Sequence, residues 1–168
     1  MAVVEEPGDN IGVRADATVT AVPGAILAVT VADCAPVALL GEGAVGVVHA
    51  GWRGLRAGVI QAAVGAVRGL GAGPLRAVIG PCIRPRCYEF DDAELASVAR
   101  ALGEGVRSQT AAGRPALDLA AGVRLALAAE GVHEWTDTGV CTACSPVHWS
   151  HRRDGDGRRQ ALVAALVP

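Results

Sequence analysis

The feature that most constrains this chain is the stretch over residues 25–58, AILAVTVADCAPVALLGEGAVGVVHAGWRGLRAG. Three apolar runs of β type and the start of a helix crowd into it, with a cysteine, Cys34, and a histidine, His49, at two of the joints. Short apolar runs bounded by glycine and proline read as buried strands. A thiolate and an imidazole held at rigid strand ends can ligate a metal or carry nucleophilic chemistry. The pairing of the two central runs, residues 36–40 and 44–48, follows from the turn signal Gly41-Glu42-Gly43 between them. With Gly41-Glu42 as a two-residue loop, Cys34 comes opposite His49; with a three-residue loop, Ala35 does. Either register brings sulfur and imidazole to the open end of one hairpin, where opposed Cβ atoms lie about 5 Å apart.

The remaining elements follow from similar signals. Residues 15–20 and 25–32 read as strands joined through Pro23-Gly24 into a hairpin, after a turn-rich segment over residues 5–12. Beyond His49, Ala50-Gly51-Trp52-Arg53-Gly54 is a glycine loop leading into one helix, on which Leu55, Val59, Ala63 and Val67 recur every four residues until Gly69 and Gly71 stop it. Such a loop lets backbone approach a ligand, and the free N–H groups of a helix start beside Arg53 suit an anion such as phosphate. Residues 75–79 read as a buried strand, Asp91-Asp92 as the cap of a helix to about Leu102, and residues 103–114 as a polar surface loop. Asp118 starts a helix to about Glu130, with apolar positions at Leu119, Val123, Leu125 and Leu127. Then come a strand over residues 135–140, a loop over 141–146, a strand over 147–153, a turn over 154–157 and a final buried strand over 159–167. With no internal repeat and no dividing linker, this order predicts one domain over residues 1–168, of mixed α/β (α+β) class, with a mixed sheet covered by helices.

Composition narrows the chemistry. A chain of 168 residues can bury roughly 70% of its unfolded surface and so build a sizeable core. The formal charge of −2 and the five aromatic residues offer neither a basic face nor a stacking platform, so nucleic acid is not an expected partner. All 15 basic residues are arginine, which removes lysine Schiff-base and P-loop chemistry. Although 51% of residues are hydrophobic, no run approaches the ~20 needed to cross a bilayer, so no membrane partner is expected. An odd count of five cysteines, with no export signal at the N-terminus, points to the cytoplasm and to free or metal-bound thiols.

Each candidate has a plainer reading. Cys34 alone would be a small buried hydrophobe, His49 a satisfied strand-end histidine and Trp52 core, while Arg53 would be a surface charge. Arg152 and Arg153 flank Asp154 and Asp156 and would form hairpin ion pairs. Cys82 with Cys87 and Cys141 with Cys144 could combine into a structural zinc site of four thiolates. Against that, both pairs stand beside apolar strands, and the first spacing is wider than a zinc knuckle prefers.

Five segments carry a resemblance. Ala32-Asp33-Cys34-Ala35-Pro36-Val37, His49-Ala50-Gly51-Trp52-Arg53-Gly54, Gly80-Pro81-Cys82-Ile83, Cys141-Thr142, and Ser150-His151-Arg152-Arg153-Asp154-Gly155 with Gly157-Arg158 occur in this order. From about residue 14 onward the chain resembles the YfiH-like laccase-domain family, also called multicopper polyphenol oxidase or purine nucleoside phosphorylase. The resemblance implies a four-layer αββα arrangement and a zinc site of two histidines and one cysteine with a position open to substrate or water. Cys34 takes the place of the cysteine and His49 that of the second histidine. The first histidine, in a Q-V-H-G motif upstream of Val3-Val4, has no counterpart, so the N-terminal portion of the domain is expected to be missing. His148, His151 or a partner chain are the candidate substitutes.

The activity implied is phosphorolysis of adenosine, inosine, guanosine and methylthioadenosine, with hydrolytic deamination of adenosine; a purine nucleoside and phosphate are the implied partners. On that reading Cys34 and His49 hold zinc, and Cys34, His49, Asp33 and Arg53 serve catalysis, Asp33 as acid, base or hydrogen-bond anchor. Arg53, Ser150 and Arg153 contact substrate or phosphate. The alternatives are a Cys–His hydrolase of a peptidoglycan precursor, in which Cys34 attacks and His49 is the base, an inactive truncated remnant, and a copper-dependent polyphenol oxidase. Copper is the least favoured, because multicopper sites need many histidines and this chain has four.

Overall fold

The computed structural model describes every residue except 7, 8, 10, 11, 156 and 168. Along the described residues the chain runs through β1 (Ala2–Val4), β2 (Ala17–Thr20), β3 (Ile26–Val31), β4 (Ala35–Gly41) and β5 (Ala44–Ala50) before its first helices, α1 (Trp52–Arg56) and α2 (Val59–Gly69). Next come β6 (Arg76–Ile79), a 3₁₀ turn (Pro85–Cys87), α3 (Asp92–Leu102), a second 3₁₀ turn (Glu104–Val106), β7 (Arg107–Gln109) and β8 (Pro115–Leu117). The chain closes with α4 (Leu119–Ala129), β9 (Glu134–Asp137), α5 (His151–Asp154) and β10 (Gln160–Ala165).

The mixed sheet expected from the strand order is present, with strands in the spatial order β1-β2-β5-β4-β6-β9. Alternation along β5 divides the core. Ala44 and Val48 point toward the helices, where they join Leu55, Ile60, Val64, Val67 and Leu127. Val45 and Val47 point the other way, onto Leu27, Val29 and Leu162 of the β3–β10 ribbon. Helices, sheet and ribbon thus stack in succession, accounting for three of the four layers that the resemblance implies. Gly46 allows α2 to approach: a Cβ there would lie 3.0 Å from both Val19 and Val67 side chains. None of the described helices is long and apolar enough to cross a membrane.

The β4–β5 hairpin forms with a register one step from that expected for a three-residue loop and two from that expected for the Gly41-Glu42 loop. Its loop is Glu42-Gly43, because Gly43 supplies the left-handed backbone (φ 74°) the turn requires, and Gly41 pairs with Ala44. Pro36 therefore stands opposite His49 and Ala35 opposite Ala50, which brings Cys34, one residue beyond the ladder, level with Gly51. Cys34 and His49 become diagonal neighbours on one face of the sheet.

Other expectations are corrected. Strands β2 and β3 do not form a hairpin: both edges of β2 are taken by β1 and β5, and β3 instead pairs antiparallel with β10 from the far end of the chain. The single helix after His49 breaks at Gly58, whose φ of 84° ends α1 before α2 begins. The supposed loop over residues 103–114 contains β7, which pairs with β8. Residues 147–153 are not a strand: Val147 is 84% exposed, and the helix α5 begins at His151. The final strand alternates between covered and open faces rather than being buried throughout. Part of the turn expected over residues 5–12, and Asp156 with its expected ion pair, lie outside the described residues.

Candidate functional site

The open end of the β4–β5 hairpin faces a cleft of about 330 Å³. Cys34 and His49 both line it, and the backbone between them explains how they share it. A Cβ on Gly51 would sit 3.1 Å from Cys34 Sγ and 3.9 Å from His49 Nε2, so the glycine keeps clear the space that the two donors adjoin.

His49 is held from behind. Its ring Nδ1–H donates to Asp16 Oδ1 at 2.9 Å, and its backbone N–H donates to the Asp16 carbonyl at 2.7 Å. This fixes the tautomer and leaves the Nε2 lone pair toward Gly51, the arrangement by which a carboxylate orients a metal-binding or proton-accepting imidazole. Asp16 lines the cleft as well. Sequence reasoning missed it, because its partner is 33 residues away. Burial, and then the carboxylates of Asp33 and Asp16, push the Cys34 thiol up to about 11. A thiol so placed gives up its proton to a cation more readily than it serves as a free nucleophile at neutral pH.

Asp33 is buried on the cleft wall with a left-handed backbone (φ 83°), a strained conformation for a residue other than glycine. Its carboxylate explains the strain. Oδ1 accepts from Thr142 Oγ1 at 2.6 Å and Oδ2 accepts from the backbone N–H of Arg152 at 2.7 Å, so this side chain joins the end of β3 to the loop and helix at residues 142–152. That is the geometry of an anchor.

Two arginines reach the cleft from different walls. Arg53 follows the glycine loop, with its guanidinium 4.3 Å from the Trp52 ring centroid. Arg152 donates to the Glu89 carbonyl at 3.2 Å and lies 5.0 Å from the Tyr88 ring centroid. Tyr88, Trp52 and His151 also line the cleft. Burial, above all, raises the Tyr88 phenol to about 12, which keeps it neutral.

Ser150 and Arg153, expected at the substrate, do not line the cleft. Ser150 is 1% exposed and caps α5, its Oγ accepting from the Arg153 N–H at 3.2 Å. Arg153 forks onto Asp154 and donates to the carbonyls of Thr142, Ser145 and His148. The helical rather than extended conformation is the cause: it turns Arg153 back onto the loop and leaves Arg152 facing the cleft. Of the two substitute histidines, His151 lines the cleft, while His148 Nδ1 is paired with Ser145 Oγ at 2.7 Å.

The cysteine quartet also divides. Cys82 is fully buried in the core, and Cys87, Cys141 and Cys144 converge instead, with ligand atoms all within 4.8 Å of one another. Beneath this region Arg84 forks onto Asp137, which also accepts from Arg124 at 3.1 Å. Burial alone would raise the Asp137 carboxyl; its bonds from Arg84 and the Gly139 N–H, with the Arg124 charge, outweigh that and hold it below the usual range.

Comparison with known proteins identifies the family. A Streptomyces coelicolor protein named purine nucleoside phosphorylase is 46% identical over 159 residues, covering 92% of this chain and 65% of the relative. A Mycobacterium bovis protein bearing that name is 38% identical over 167 residues, covering 96% of this chain and 66% of the relative. The crystal structure of a Neisseria meningitidis protein matches with a TM-score of 0.82 at 31% identity, over 92% of this chain and 65% of that one. The hypothetical protein YfiH of Bacillus licheniformis matches with a TM-score of 0.81 at 32% identity, over 90% and 61%. The chain thus spans just under two thirds of the length of these relatives. The sequence pattern of one family runs through residues 1–166, so the chain belongs to the multi-copper polyphenol oxidoreductase laccase family, the YfiH-like group that its motifs resemble.

Proposed function

We propose that the cleft binds a purine nucleoside and, with a metal held through Cys34 and His49, catalyses transfer of its sugar to phosphate. The observation that carries this reading is convergence: a sulfur and an oriented imidazole adjoin one space beside Gly51, and Arg53 and Arg152 enter the same cleft. The reaction class comes from the relatives named purine nucleoside phosphorylase.

The donor set fits zinc. One thiolate and one neutral imidazole, its Nδ1–H fixed by a carboxylate, are ordinary zinc ligands, and catalytic sites usually take a third protein ligand. His151 offers another imidazole on the cleft wall. Bound there, zinc would supply Lewis acidity toward a substrate atom or a water.

The chain's own residues do the rest. Arg53 and Arg152 hold phosphate by charge-assisted hydrogen bonds, and the faces of Trp52 and Tyr88 receive the purine. Asp33 positions Arg152 by binding its backbone N–H, and Asp16 keeps His49 in one tautomer. A phosphate oxygen attacks C1′ of the sugar, the bond from C1′ to the purine nitrogen breaks, and the base leaves with the electron pair and takes up a proton. The products are the sugar 1-phosphate and the free purine. Adenosine, inosine, guanosine and methylthioadenosine are the substrates this reading covers. With water in place of phosphate, attack at the amino-bearing carbon of adenine forms a C–O bond, the bond from that carbon to the amino nitrogen breaks, and ammonia leaves, giving inosine in the same cleft. With a formal charge of −2 and five aromatic residues, the chain offers nucleic acid no binding face on this reading, and the free thiols fit a cytoplasmic location.

The raised Cys34 thiol disfavours the Cys–His hydrolase. Copper oxidation is disfavoured because, of the four histidines, only His49 and His151 line the cleft. The test is release of hypoxanthine from inosine, and of adenine or inosine from adenosine, by the zinc-loaded protein with and without phosphate. Phosphate-dependent base release supports the reading. No turnover of any of the four nucleosides, with zinc and phosphate both present, discards it.

A further inference from the structure

Only one of the five cysteines belongs to the cleft; three others meet behind its wall. Cys87 ends the 3₁₀ turn Pro85–Cys87, and Cys141 and Cys144 bracket a tight turn in which the N–H groups of Cys144 and Ser145 donate to the Cys141 carbonyl at 3.2 and 3.0 Å. Cys87 Sγ and Cys144 Sγ are 3.3 Å apart, and the three sulfurs lie within 4.8 Å of one another. We propose that Cys87, Cys141 and Cys144 form a second metal site, a three-thiolate zinc site with its fourth position open to solvent, which fastens together two walls of the cleft.

Three observations carry the proposal. Zinc bound tetrahedrally at about 2.3 Å from each thiolate sets the sulfurs about 3.8 Å apart, half an ångström more than the Cys87–Cys144 separation of 3.3 Å and inside the 4.8 Å that encloses all three. The surroundings of Cys141 suit an anion: the backbone N–H of Arg84 donates to its sulfur at 3.4 Å. A backbone donor on the sulfur belongs to the outer-shell pattern of a thiolate ligand. Thiolates also select soft cations over magnesium or calcium, and the exposed position of Cys144 gives the ion an entry path.

The placement gives the site its role. Cys87 directly precedes Tyr88 on the cleft wall, and Cys141 directly precedes Thr142, whose hydroxyl holds Asp33. A cation bridging these cysteines ties the turn that carries Tyr88 to the loop that carries Thr142, without entering the cleft.

The test separates the two sites by their sulfur count. The reduced Cys34→Ser protein, which lacks the cleft thiolate, is titrated with zinc alone and then with cobalt(II) alone. The expected result is one tightly held zinc per chain, a cobalt spectrum with near-ultraviolet thiolate charge transfer of three-sulfur intensity, and a melting temperature raised by zinc. In Cys34→Ser/Cys144→Ser and Cys34→Ser/Cys87→Ser, checked for folding by circular dichroism, the bound zinc and its thermal shift are lost. The proposal is overturned if Cys34→Ser retains no zinc, if the double variants retain it equally, or if mass spectrometry of reduced-and-purified protein locates a Cys87–Cys144 disulfide that zinc does not prevent.

Discussion

Replacing Gly51 by alanine inserts one methyl group into the space proposed for the metal. The backbone there (φ −80°, ψ 163°) lies in the extended region that any residue adopts, so the substitution causes no backbone strain. Gly51 is the N-cap of α1 without a side-chain bond. Alanine at an N-cap costs about 0.5–1 kcal/mol relative to glycine, and the reduced freedom of the unfolded chain offsets about 0.4–1 kcal/mol. Stability should therefore hold to within roughly 1 kcal/mol, or about 2–4 °C in Tm for a chain of this size. The site should not. At 3.1 Å from Cys34 Sγ the new carbon stands well inside the ~3.5–4.0 Å of favourable heavy-atom contact, so the sulfur must move by several tenths of an ångström. Displacements approaching 1 Å cost up to about 100-fold in catalysis, and the expected loss in both zinc affinity and phosphate-dependent turnover is about 10- to 100-fold. Chelator competition measures the first and base release the second, with thermal unfolding as the control. A folded Gly51→Ala protein with unchanged zinc affinity and turnover would refute the placement of the reaction between Cys34 and His49.

Further substitutions test other contacts. Asp16→Asn removes the carboxylate that fixes the His49 tautomer and should weaken zinc binding about 10- to 100-fold by competition titration; an unchanged affinity would separate Asp16 from the site. Arg152→Ala should raise the KM for phosphate by about tenfold, the worth of one charge-assisted hydrogen bond, whereas Arg153→Ala should lower Tm, because it releases three loop carbonyls. The reverse pattern in kinetics and melting would reassign the two. Asp137→Ala leaves the half-buried Arg84 without its carboxylate and should destabilise by about 1–3 kcal/mol in denaturant unfolding. Because the folded-state pKa of Asp137 is lowered, its contribution is complete above the unfolded value near 3.8 and fades as pH falls through the lower folded value. Acid unfolding of Asp137→Asn should therefore be less steep below pH 3.8 than that of the parent; identical acid limbs would contradict this.

The strands around Cys34 and His49 were legible because the local rules agree: short apolar runs, a glycine turn and a fixed side-chain alternation. The residue that closed the loop was not, since Gly41, Glu42 and Gly43 all tolerate a turn and only the positive φ at Gly43 selects one register. Helix caps at Asp91 and Asp118 were legible, each acting on N–H groups two or three residues away. The pairing of β3 with β10 was not, because it depends on which edges β2 leaves free. The misreading of residues 147–153 had the largest consequence for the site. Apolar Val147 and Trp149 mimic a strand, while the contact that organises α5, the Asp33 carboxylate on the Arg152 N–H, spans 119 residues. The three-cysteine cluster was half legible: the Cys141–Cys144 spacing marked it, but Cys82 was grouped with it where burial keeps it in the core.

The most direct measurement is anomalous diffraction at the zinc edge from crystals of this chain soaked in zinc. The expected result is a peak in contact with both Cys34 Sγ and His49 Nε2, beside Gly51 and in front of the Asp16–His49 pair. Zinc sites elsewhere, with no peak touching those two atoms, would contradict it.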